Sequence, residues 1–179
     1  NKNSLNTLDK VIKFSKSKGI KKGRIIYCPP YTLLSSFYEK FQNCLIDIGA
    51  QNCHESSEYG AHTGFVNSKM IKDIGANYVI IGHSENRSKG ETDKLINQKI
   101  KSAINAKLKV ILCIGETLKE KRIGKTKSVL SKQIKYGLDK IKIRTNLFIA
   151  YEPVWSIGTG KILKPSELNQ AIKFIKSKF

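Results

Sequence analysis

With 179 residues, 40% hydrophobic and 26% charged, the chain can bury a substantial core as one domain, residues 1–179, which excludes disorder. No run nears the ~20 consecutive apolar residues of a membrane span. No apolar signal region follows the polar start Asn1 to Ser4, so an unsecreted, cytoplasmic protein with no membrane partner is expected. The net charge of +19, from 33 basic and 14 acidic side chains, would attract polyanions. The lysines, however, are scattered through every predicted helix with no arginine cluster or interleaved aromatic platform. No nucleic-acid partner is therefore expected; the charge reads first as a solvated, lysine-rich surface, and second as a field that would draw in a small phosphorylated substrate.

In chain order, residues 4–18 place Leu5, Leu8, Val11 and Ile12 on one helical face, and Gly19 and Gly23 end that helix before a strand over 24–28. Pro29-Pro30 stops the strand, Thr32 is placed to cap a helix running to about Asn43, and 44–49 reads as the second strand. Ser68 opens a short helix to Asp73, and 78–82 is the third strand. Residues 91–107 form a helix with Leu95, Ile96, Ile100 and Ile104 inward, followed by a strand at 110–114. A partly broken helical stretch covers 118–140, the fifth strand 147–151, and a helix begins at Pro165 and runs to 178. Continuous apolar strands separated by helices imply a parallel α/β sheet. The polar stretch 51–67 is a long loop, of the kind that tends to carry function. Cys28, Cys44, Cys53 and Cys113 contain no Cys-x-x-Cys pair and are expected to be reduced.

Polar residues follow the strand ends: Gln51-Asn52, His83-Ser84-Glu85, Gly115-Glu116 and Glu152. In parallel α/β folds this is where sites assemble, so one pocket is expected to gather them. Glu152, at the end of an apolar strand and before Pro153, suits a general base with a raised pKa. His83, at a helix N-terminus, suits a neutral hydrogen-bond donor. Ser-Ile-Gly-Thr-Gly-Lys (156–161) is a glycine-rich turn able to hold a phosphate. It is not a Walker loop, because Trp155 and Ile162 stand where that pattern needs glycine and serine or threonine. His54 and His62 lie near Glu55 and Glu58 without a helical His-x-x-x-His spacing, so no metal site is expected.

Together, Tyr-Val-Ile-Ile-Gly-His-Ser-Glu (78–85), Cys-Ile-Gly-Glu-Thr (113–117) and Ala-Tyr-Glu-Pro-Val-Trp-Ser-Ile-Gly-Thr-Gly-Lys (150–161) resemble the signatures of the triosephosphate isomerase family. Gly-Ala-Gln-Asn (49–52) and Gly-Ala-His-Thr-Gly (60–64) add to the match. The resemblance implies a (β/α)8 barrel retaining strands like the family's second to sixth, and a cofactor-free, metal-free isomerase of a small phosphorylated triose. It implies Glu152 as proton-shuttling base, His83 as electrophile, 153–161 as a mobile lid with the Gly158 N–H on the phosphate, and Glu85 and Cys113 in support. Thr63, at the tip of the 53–67 loop, would support a partner subunit's site. The family's barrel chain runs to about 250 residues with eight strands. Its catalytic lysine, which pairs with a glutamate at the position of Glu85, and its last phosphate-binding loops match no segment here. The expectation is accordingly strongly reduced turnover and self-association across open strand edges, with a noncatalytic oligomeric or phosphate-binding scaffold as the alternative. Phe65 and Asn86 replace the glutamate and arginine that the family usually has near its dimer contact.

Overall fold

A computed structural model describes residues 7, 9–10, 12–14, 24–41, 45–142 and 145–179. The described residues among 7–14 are helical; the rest of the helix expected over 4–18, Cys44, and the start of the second strand as expected lie outside the described residues. Five strands follow: β1 (Ile25–Tyr27), β2 (Ile46–Ala50), β3 (Tyr78–Ile81), β4 (Lys109–Ile114) and β5 (Leu147–Tyr151). They form a parallel sheet in the order β1-β2-β3-β4-β5, so each strand pairs with its neighbour in sequence. Such neighbour-by-neighbour parallel pairing, with helices between the strands, is the arrangement of part of a (β/α)8 barrel.

The helices are α1 (Leu34–Phe41), α2 (Ser68–Asp73), α3 (Ser84–Ser88), α4 (Asp93–Asn105), α5 (Leu118–Arg122), α6 (Thr126–Gly137) and α7 (Pro165–Lys176). Thr32 does not cap α1; it sits inside a 3-10 turn, Tyr31–Leu33, that leads straight into the helix. The helix expected over 91–107 begins later because the Thr92 hydroxyl accepts the Leu95 N–H (3.2 Å). It ends where Lys107 adopts φ +61°. The stretch 118–140 divides at Gly124, whose φ of +71° no helix interior accommodates.

The core is aliphatic and continuous. Val79, Ile81, Val110, Leu112 and Ile114 from the central strands are fully buried against Ile96, Ile100 and Ala103 of α4 and Leu130 of α6. At the β1 side, Tyr27 stacks on Phe37 with centroids 5.3 Å apart, and Phe41 meets both edge-on, an arrangement that adds to plain area burial. No helix among the described residues is long and apolar enough to cross a membrane.

Candidate active site

The site begins with two turns. After β3, Gly82 takes φ +76°, and a Cβ there would meet Arg87 Nη2, Cys113 O and Ile96 Cδ1 at 3.1–3.3 Å; the position requires glycine both for its conformation and for its lack of space. The turn delivers His83 to the N-cap of α3, where its Nδ1 accepts the Glu85 N–H (3.4 Å). With Nδ1 accepting, the proton of the neutral ring lies on Nε2.

After β5, the Glu152 N–H continues the strand ladder to Ile114 O (2.9 Å), which brings β4 and β5 so close that a Cβ on Gly115 would lie 1.8 Å from Glu152 O. Gln133 of α6 holds the same glycine from both sides, accepting its N–H (2.9 Å) and donating to its carbonyl (3.1 Å). Glu152 Oε1 accepts the Ser84 N–H (2.8 Å) and Oε2 lies 3.1 Å from His83 Nε2. The carboxylate is 17% exposed and the imidazole 30%. Burial raises the Glu152 carboxyl above its ordinary range, and the Ser84 N–H, His83 and Arg87 pull it back in that order.

Arg87 stitches this corner together. Its Nε donates to Gly82 O (2.7 Å), Nη2 to Cys113 O (3.3 Å) and Nη1 to Asp93 Oδ1 (2.7 Å), so the ends of β3 and β4 and the start of α4 share one guanidinium. Cys113 is buried and its thiol is pushed up to about 12, by desolvation first and then by the charge of Glu152; it is protonated and inert as a nucleophile.

The expectation that one pocket gathers all four strand ends needs correction. A cavity of about 710 Å³ opens between the 51–55 loop and 83–91, lined by Asn52, His83, Glu85, Glu91 and Lys99, among others, and Glu152 does not line it. Gln51 also lines it, with its amide donating to Cys28 O (3.1 Å), whereas Gly115 and Glu116 do not. Asn52 is held by Glu91 Oε1 (3.0 Å) and the buried Lys99 ammonium (3.1 Å), which also contacts Glu91. Glu116 is sealed from solvent, accepting the Tyr151 hydroxyl (3.0 and 3.2 Å) and the Trp155 indole N–H (2.8 Å). The packing role of Glu116 explains why a polar residue at a strand end need not face the cavity.

Among the other expected residues, Glu85 is largely exposed, its carboxylate 3.9 Å from His83 Nδ1. Thr63 sits exposed in a turn of the 53–67 loop, outside the cavity lining and without a hydrogen bond to His83 or Glu152. That loop packs on itself through His54, His62 and Phe65, with ring centroids 4.5 and 4.7 Å apart. Gly158 is exposed with φ +67°, beyond a 3-10 turn at Val154–Ser156. Cys28, Cys53 and Cys113 are free thiols, and among the described residues no group of three or more His, Cys, Asp or Glu is placed to hold a metal.

Sequence reasoning missed Arg87 and Lys99. Lys99 carried a signal, since it shares the inward face of α4 with Ile96, Ile100 and Ala103 and is buried beside them. Arg87 stands four residues after His83, on the same side of the following turn, but nothing in periodicity marks it.

A glutamate and a histidine in contact at the C-terminal ends of β5 and β3, parallel strands on either side of β4, define a barrel-type α/β site. The family model described as "Triosephosphate isomerase" matches residues 1–179. The chain is similar to the triosephosphate isomerases of Carboxydothermus hydrogenoformans (47% identical, covering 85% of this chain and 61% of that one) and Syntrophotalea carbinolica (43%, 86% and 62%). The fold is similar to the crystal structure of triosephosphate isomerase from Bartonella henselae, with a TM-score of 0.79 at 36% identity, over 87% of this chain and 63% of that one. The chain belongs to the triosephosphate isomerase family. It spans 61% and 62% of the length of the two curated relatives named.

Proposed function

We propose that this chain carries the proton-transfer pair of a triosephosphate isomerase and acts on dihydroxyacetone phosphate and glyceraldehyde 3-phosphate. The carrying observation is the 3.1 Å contact of His83 Nε2 with Glu152 Oε2. It pairs a base whose pKa burial raises with an imidazole whose Nε2–H, once the carboxylate leaves it, is open to a carbonyl, and a neutral histidine beside a base glutamate is the known pattern of this family. Deprotonated Glu152 removes a proton from the carbon beside the substrate carbonyl and returns it to the neighbouring carbon. His83 Nε2–H donates to the oxygen on which negative charge develops in the enediolate.

Both Glu152 oxygens are engaged, one by Ser84 and one by His83, so freeing the carboxylate for a substrate carbon means leaving one of them. Pro153 follows immediately, which links that movement to closure of the 153–161 lid and to the Gly158 N–H reaching the phosphate. Thr63 and Phe65, exposed on the 53–67 loop, support a role for this loop against a second copy of the chain.

The test is a coupled isomerase assay on the purified chain beside Glu152→Ala, which subtracts host enzyme. Turnover by the wild type alone supports the reading. Equal, background rates in both overturn it, and binding of 2-phosphoglycolate without turnover would favour a phosphate-binding scaffold.

A further inference from the structure

Residues 157–163 form a largely exposed span between the Val154–Ser156 turn and α7, and one side chain from outside contacts both of the elements that flank it. Lys121 of α5 lies with Nζ 3.7 Å from the centroid of the Trp155 ring and 3.0 Å from Glu167 Oε1. Trp155 is the buried residue of the entrance turn. Glu167 is on the first turn of α7, and its second oxygen, Oε2, accepts the N–H of Lys164 (3.2 Å), where the span ends.

The indole N–H is engaged by Glu116 (2.8 Å), which fixes the ring so that its face is presented to the ammonium, the favourable geometry for a cation. α5 is itself firmly started: Thr117 Oγ1 accepts the Glu120 N–H (3.3 Å) and Glu120 Oε2 accepts the Thr117 N–H (2.8 Å). This capping box follows directly on Glu116, so Lys121 projects from an element anchored to the end of β4. The carboxyl of Glu167 is held below its ordinary value, first by the Lys121 hydrogen bond and next by the Lys164 N–H. An isolated exposed ion pair would order little. Here the ammonium is already immobilised on a buried ring, so pairing with Glu167 costs less side-chain entropy than it would for a free lysine.

We propose that Lys121 is a positioning residue that fastens both ends of the lid, joining the Trp155 turn to the first turn of α7 through a single cation. The inference rests on the reading of 153–161 as a lid over a phosphorylated substrate. It predicts that lid order depends on the charge of Lys121 and not on its bulk.

Trp155 is the only tryptophan of the chain, so indole emission reports on the entrance turn without labelling. The experiment compares wild type, Lys121→Met, Lys121→Arg and Glu167→Gln in the ligand-free protein, by acrylamide quenching of Trp155 and by hydrogen exchange of the 156–164 segment. Lys121→Met is expected to raise quenching and to speed exchange about three- to tenfold, the range of one lost cation–π contact. Lys121→Arg, which can stack and pair at once, restores both. Glu167→Gln speeds exchange near Lys164 and leaves quenching unchanged. The same titrations with 2-phosphoglycolate should show several-fold weaker binding for Lys121→Met. Wild-type quenching and exchange in Lys121→Met overturn the proposal, as does faster exchange spread equally over β3 and β4, which marks general destabilisation. Failure of the wild type to bind 2-phosphoglycolate counts against the isomerase reading alone, because the ligand-free measurements still decide the role of Lys121.

Discussion

Replacing Gly115 by alanine puts the geometry of the site under direct strain. The added Cβ would lie 1.8 Å from Glu152 O, 2.7 Å from Glu152 C and 3.4 Å from Pro153 N. The first of these falls roughly 1.5 Å short of an ordinary carbon–oxygen contact of about 3.3 Å. Every atom in the way is backbone, so no rotamer change relieves the clash and β5 must move away from β4. That movement stretches the 2.9 Å bond from Glu152 N–H to Ile114 O and carries the carboxylate away from His83 and Ser84. Overpacking of this kind costs about 1–3 kcal/mol, and a displacement of about 1 Å at a reacting group costs on the order of 100-fold in rate. Urea unfolding gives the first quantity and the coupled isomerase assay the second. Gly60→Ala is the control, because its Cβ would meet nothing closer than 4.0 Å at an unstrained φ, and it should leave both unchanged. A Gly115→Ala protein within about 0.5 kcal/mol of wild type, the ordinary scatter of surface substitutions, would refute the close approach of β4 and β5.

The pH dependence follows from Glu152. As a base it must be deprotonated, and since burial raises its pKa above the ordinary 4.5, the acidic limb of kcat/KM should lie above that value; a limb at or below 4.5 contradicts the buried base. In stability the sign is opposite: the native state holds this proton more tightly than the unfolded chain, so the contribution is complete below the unfolded pKa and is lost as pH rises through the raised native value. Arg87→Ala removes the partner of Asp93, whose side chain is 17% exposed, and should cost about 3 kcal/mol or more in urea unfolding, the usual consequence of stranding a largely buried charge. It should also move the acidic limb further up, because Arg87 lowers the Glu152 pKa. Light scattering at micromolar concentration should give a mass above the 20.1 kDa of one chain, since Leu147, Ile149, Leu168 and Ile172 line an open apolar groove along β5 and α7; a clean monomer contradicts this.

The strands were legible because buried parallel strands are written as unbroken apolar runs: 147–151 was read to the residue, and 78–82 and 110–114 to within one. That His83 and Glu152 stand just past strand ends was legible because each follows an unbroken apolar run. What stayed hidden depends on distances between segments far apart in sequence. Glu116 and Glu152 both follow strand ends, yet one is sealed by Tyr151 and Trp155 and the other meets His83, a difference no local pattern encodes. α3 is five residues long, too short to show a helical period, and was foreshadowed only by the capping position of His83. Lys121 reads as one more surface lysine until the ring of Trp155 is seen beneath it.

The order of the sheet also bears on how the molecule is made. Among the described residues, β2, β3 and β4 each pair with the strand just before and the strand just after in sequence. A chain emerging from the ribosome can therefore lay down β1 to β5 as they appear, every new unit docking on a finished edge. Growth by accretion of this sort keeps the contacts of sheet formation short-ranged for a parallel topology, which favours rapid assembly.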